Sequence, residues 1–153
     1  MIVIGNPEHG EAIARAARTT FHPTDIVIAN EREGNLLGGV IYTGYTGPAI
    51  SMHVAAFTRQ WITPNMLFCC FDYPFNQLGC NKLIGQVPEG NLTAVAFDKA
   101  VGFVEETRVK DVFPDGDMLV LTMYKKDCRY LKIRPRNLEA DILNYGEIHG
   151  RQG

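Results

Sequence analysis

The sequence predicts a mixed α/β domain: a mostly antiparallel sheet with helices on both faces. Three observations carry this reading. First, three apolar, β-branched runs (25–31, 36–45 and 49–57) follow one another with only turn residues between them. That is the pattern of an antiparallel meander. Second, a helical stretch separates the third run from the strand at 81–87, and such a crossover implies a parallel neighbour. Third, Asn6-Pro7 and Thr63-Pro64 each place a capping side chain before a proline at the first helical position.

Taken in order, Met1 to Ile4 predicts a strand, and a helix follows over about Pro7 to Thr19 with Ile13, Ala16 and Ala17 inward. Phe21-His22-Pro23 breaks it. The meander comes next, with turns at Glu33-Gly34-Asn35 and Thr46-Gly47-Pro48. The helix after Thr63 carries Leu67, Cys70, Phe71, Phe75 and Leu78 at helical spacing, and Pro74 should kink it or loosen its middle. Asn91 caps a helix that reaches Val101, and Gly102 ends it. Strands at 103–109 and 118–124 are joined across Pro114-Asp115-Gly116. The compact domain spans residues 1–131. Residues 132–153 read as a polar tail, partly ordered or an oligomer arm.

Composition narrows the partners. A net charge of -2 gives no pull toward nucleic acid or an anionic membrane. The basic group Lys125, Lys126, Arg129, Lys132, Arg134 and Arg136 reads as a solvated face. Cys69, Cys70, Cys80 and Cys128 lack metal-ligand spacing, so no metal site is expected and buried reduced thiols in a cytoplasmic setting are. No apolar run reaches membrane-spanning length, and the first residues do not read as a secretory signal.

The segment VPEGNLTAVAFDKAVGF (87–103) orders a strand end, an Asn, one helix and a Gly-Phe pair, followed by a strand pair with an acidic-Gly turn. This order resembles the C-terminal half of the GNAT N-acyltransferases, and the likeness extends over about residues 1–131. FDYPFNQLG (71–79) and GDMLVLTMYKKDCRYL (116–131) further resemble a branch of GNAT-like proteins from tailed phages and prophages. In that branch a Trp-containing segment often replaces the glycine-rich loop.

The resemblance implies a fold with a central pair of parallel strands that splay apart, here 50–57 and 83–87. It implies acetyl-CoA as co-substrate, with the pantetheine arm in the gap, and a primary amine, small or protein-borne, as acceptor. The implied cofactor contacts are Ala55, Phe57, Arg59, Gln60, Trp61, Ile62, Thr63, Asn91 and Phe97. The pyrophosphate would rest on backbone amides at the helix start, where free N–H groups favour anions. Arg59 matches the first position of the family's loop motif, but Ile62 and Pro64 stand where glycines are expected. This makes the loop degenerate, because proline removes an amide. Phe97 stands at the position taken for the family's acidic Tyr, and Phe cannot donate a proton.

Several residues keep two readings. Thr63-Pro64 also makes a good helix start, and Trp61 could plug the core. Asn91 can cap its helix and contact cofactor at once. His53 has the pKa of a general base, with Ser51 two residues away on the same strand face, yet a strand histidine satisfied within the fold and facing a helix is the more ordinary reading. The expected activity is acyl-CoA-dependent N-acetyl transfer. The alternative is a non-catalytic GNAT-like module for binding or phage assembly, as a homo-oligomer or with a virion partner.

Overall fold

The computed structural model describes residues 1–146. Its strands are β1 (Ile2–Ile4), β2 (Ile26–Arg32), β3 (Asn35–Thr43), β4 (Ala49–Ala56), β5 (Lys82–Pro88), β6 (Val104–Phe113), β7 (Gly116–Tyr124) and β8 (Ile142–Asn144). The helices are α1 (Pro7–Ala16), α2 (Pro64–Asp72), α3 (Leu92–Val101) and the single turn α4 (Leu138–Asp141). The strands form one sheet in the order β6-β7-β5-β4-β3-β2-β1-β8. The mixed α/β class and the antiparallel β2–β3–β4 meander are as the sequence predicts.

Strand alternation divides the core. Ile28, Val40, Tyr42, Ile50 and Met52 point to one face, where they pack with Met66 and Phe71 of α2 and Val101 of α3. Their chain neighbours Val27, Ala29, Ile41 and Ala55 point to the other face, against Ile13 and Ala14 of α1. The two faces thus carry α1 on one side and α2 with α3 on the other. Glycine permits the tightest of these contacts. A Cβ at Gly39 would lie 2.6 Å from the Ile28 carbonyl oxygen and 2.8 Å from the Ala29 Cα. Those are backbone atoms, which cannot rotate away. Gly39→Ala should therefore cost about 3 kcal/mol of stability, the upper end of ordinary overpacking, read as a lower urea midpoint.

The parallel pair occurs where expected and opens as the resemblance implies. β4 and β5 pair only at Ala49–Lys82, Ile50–Leu83 and Ser51–Ile84 among the described residues. Beyond that point β4 stays with β3 as far as Ala56, and β5 stays with β7 as far as Pro88. The two ladders hold their strands apart and leave a wedge between them.

The structure adds detail to several elements. α1 ends at Ala16 rather than Thr19, because Arg18 takes a positive φ of 57° and turns the chain. At Pro74 the second helix loosens, as expected: α2 widens into a π-helical turn over Tyr73–Gln77, which absorbs the missing N–H. β7 is paired on both sides, so β6 forms that edge of the sheet. Within the segment expected as a tail, β8 pairs parallel with β1, and Asn65 binds the Arg136 carbonyl and Asp141. Residues 147–153 of that segment lie outside the described residues.

Among the described residues no helix is long and apolar enough to cross a membrane, and no cluster of metal-ligating side chains occurs. All four cysteines are free and buried. Burial pushes the Cys69 thiol up to about 11 and raises Cys70, Cys80 and Cys128 as well.

Candidate active site

The wedge between β4 and β5 opens into a cleft. A cavity of about 200 Å³ is lined by Val54, Ala55 and Ala56 of β4, by Asn91, Ala94 and Phe97 beside or on α3, and by Ala16 of α1. A second space of about 10 Å³ shares Val54, Asn91 and Ala94 with it and continues between Met52–His53 of β4 and Gln86–Pro88 of β5. Because α1 and α3 lie on opposite faces, the cleft passes through the plane of the sheet.

Asn91 is placed by its own helix. Its side chain accepts from the Ala94 amide at 3.2 Å, the N-cap bond of α3. Residues 91, 94 and 98 follow helical spacing and share one face. That face borders the cleft with Asn91, Ala94 and Asp98.

Asp98 is the residue the sequence reading passed over. It is 4% exposed, and its Oδ1 has no hydrogen-bond partner. A Cβ built on Gly85 would lie 3.4 Å from Asp98 Oδ2, so the carboxyl sits directly against the β5 backbone. Desolvation pushes its pKa up to about 7. The signal was present: an acid occupied the apolar stripe of Asn91, Ala94 and Val101 in an otherwise ordinary helix.

His53 is 7% exposed and borders the same small space. Its Nε2 lies 3.1 Å from Thr43 Oγ1 on the neighbouring strand. Desolvation lowers its pKa, with Asp25 opposing weakly, so the ring is neutral at pH 7. Among the described residues no hydrogen bond joins His53 to Ser51, which sits opposite Thr43 in the ladder.

The segment after β4 is built differently from a glycine loop. Arg59–Trp61 forms a short 3-10 turn, capped by Thr58 Oγ1 accepting from the Gln60 amide at 3.2 Å. Thr63 Oγ1 caps α2 by accepting from the Met66 amide at 3.1 Å. Arg59, Gln60, Ile62 and Phe57 are exposed. Gln60 accepts from Arg32 at 2.9 Å. Trp61 goes the other way: it is 2% exposed, its carbonyl accepts from Asn30 Nδ2, and its ring lies 5.2 Å from that of Phe97. Phe97 thus joins Trp61 to the cleft wall, and Ala55 borders the cleft from β4.

An ion pair ties the end of α1 to the β6–β7 turn. Arg18, just past α1, holds Asp115 in the β6–β7 turn through two bonds of 2.8 and 3.2 Å. Asp115 also lies close to Gly90, next to Asn91: a Cβ there would sit 3.1 Å from Asp115 Oδ2.

No family model matches this chain, and no curated protein sequence matches it. Solved structures do. The spermidine N-acetyltransferase from Vibrio cholerae, in complex with CoA and spermine, is 20% identical with a TM-score of 0.54, over 70% of this chain and 67% of that one. The yncA protein from Salmonella typhimurium, solved with acetyl-CoA as its cofactor, is 11% identical with a TM-score of 0.62, over 81% and 92%. The chain spans 66% of the length of another structure of the Vibrio enzyme. At such identities the likeness speaks to architecture. The splayed parallel pair, the one-and-two distribution of helices and these neighbours together show that this chain has the GNAT fold.

Proposed function

We propose that the protein is an acyl-CoA-dependent N-acyltransferase that moves an acetyl group from acetyl-CoA to a primary amine. The observation that carries this reading is the cleft itself. Between β4 and β5, backbone groups that would otherwise pair with each other face a gap, and a pantetheine arm carries amides that can take their place. Asn91 and Ala94 wall that gap from α3, so a thioester lying along it would reach His53. Holding amine and thioester together supplies much of the rate in such a transfer. His53 is neutral at pH 7 and can accept the proton the amine loses.

The segment from Arg59 to Thr63 would meet the phosphates in this reading, with Arg59 supplying charge. A second reading draws on the same segment. Pro64 offers no amide, and two threonine hydroxyls already occupy the amides of Gln60 and Met66. That arrangement favours a GNAT-shaped module that binds or assembles, in a phage particle or a homo-oligomer, without transferring an acyl group.

Calorimetric titration with acetyl-CoA separates the two. Micromolar binding is expected, and Ala94→Phe, which fills the shared wall of both spaces, should weaken it at least tenfold, or about 1.4 kcal/mol. No heat at millimolar acetyl-CoA from a folded protein would leave the binding module standing instead.

A further inference from the structure

We propose that Asp98 is the catalytic acid of this site, delivering a proton to the sulfur of the leaving coenzyme. The proposal rests on the acyltransfer reading and deepens it. It starts from an oddity of the fold: a carboxyl that is 4% exposed, with one oxygen unpartnered among the described residues, bordering a small space that His53 also lines. A buried acid without a partner costs stability, and nothing in the core needs one there. Gly85 of β5 lacks a side chain and so lets the carboxyl lie directly against that strand.

The surroundings keep the proton on this group. His53 and Met52 of β4 and Gln86 of β5 line the same small space as Asp98, and Gly85 of β5 lies against its carboxyl. On its own helix Lys99 is exposed, and Arg129 is turned to the Ala100 carbonyl. No charged group contributes to its shift, whose sole cause is desolvation. A ligand in the cleft would exclude more water and strengthen that effect. His53 is pushed the opposite way, so this space pairs an imidazole biased toward its neutral, proton-accepting form with a carboxyl biased toward its protonated, donating form.

The step balances. The amine nitrogen attacks the thioester carbonyl, forming the N–C bond, and its proton passes to His53. The C–S bond then breaks, with its electron pair leaving on sulfur. The S–H bond forms with the proton of Asp98. The products are the amide and the coenzyme thiol. Solvent returns a proton from His53 to Asp98, so no other reactant is consumed.

The test compares the wild type with Asp98→Asn, which keeps shape and removes the titrating group. Acetyl-CoA binding is measured by calorimetry at pH 7.5 in buffers of different ionisation enthalpy, which counts protons taken up. The wild type should take up a fraction of a proton and the variant markedly less, with dissociation constants within threefold of each other. In turnover with an amine that the wild type acetylates, Asp98→Asn should lower kcat by about 100-fold or more. It should also lose the fall in kcat on the alkaline side, while the KM for acetyl-CoA changes little. Equal proton uptake in both proteins, or a kcat within threefold of wild type, would overturn the role of Asp98 and leave acyl transfer intact. Absence of acetyl-CoA binding by the folded wild type would overturn both.

Discussion

Asp98→Asn is expected to melt higher than the wild type at pH 8 and to lose that advantage by pH 4. The carboxyl has a folded-state pKa of about 7 against an ordinary value of 3.8. Below pH 3.8 both states keep the proton, and the group costs nothing through ionisation. Between 3.8 and 7 the unfolded chain releases it first, so stability falls as pH rises, by about 1.4 kcal/mol per unit. Above pH 7 the full penalty, on the order of 4 kcal/mol, is present. Asparagine never ionises and escapes it, though its buried amide costs about 1–2 kcal/mol for want of partners. The net gain at pH 8 is about 2–3 kcal/mol, or roughly 4–12 °C for a domain of this size. Thermal unfolding across the pH range checks this. A difference between the two proteins that stays constant from pH 4 to 8 would mean that the fold does not hold this carboxyl protonated. A variant that is more stable and less active is the pattern left by a group retained for chemistry.

Trp61→Ala should be the most damaging single truncation near the cleft, at about 3–5 kcal/mol. The side chain is 2% exposed and packs on the Phe97 ring at 5.2 Å. It also leans on β3 so closely that a Cβ at Gly38 would lie 2.7 Å from its Cγ. Removing the indole would leave a void between β3 and α3, and Phe97 would lose the surface that sets its position in the cleft wall. Trp61→Phe keeps a ring there and should cost much less. Urea unfolding of both variants measures the effect. A loss below about 1 kcal/mol for Trp61→Ala would show that the region collapses to fill the space.

Local chemistry made most of the architecture legible. Asn6, Thr63 and Asn91 cap their helices as predicted, and each bond is a short-range property of two to four residues. The meander followed from alternation and turns. What escaped depended on partners far along the chain. The loosening at Pro74 was legible, but its form, a π turn with the proline buried, was not. The three residues of β8 look like any short apolar group, and only β1, some 140 positions earlier, makes them a strand. Of the residues chosen from the sequence, His53, Asn91 and Phe97 all border the cleft. Trp61 was open between core and cofactor until its burial was seen. Asp98 was missed because an acid in a helix reads as surface. Its meaning emerges when the helix face is assigned and the carboxyl is found in the core.

The buried thiols give this protein a built-in clock. A thiol reacts as its thiolate, and these four are both shielded and held protonated, with Cys69 near 11. They are also spread out: Cys69 and Cys70 belong to α2, Cys80 precedes β5, and Cys128 follows β7. An alkylating reagent at neutral pH therefore reads opening events instead of surface, and each modified position names the part of the molecule that came apart.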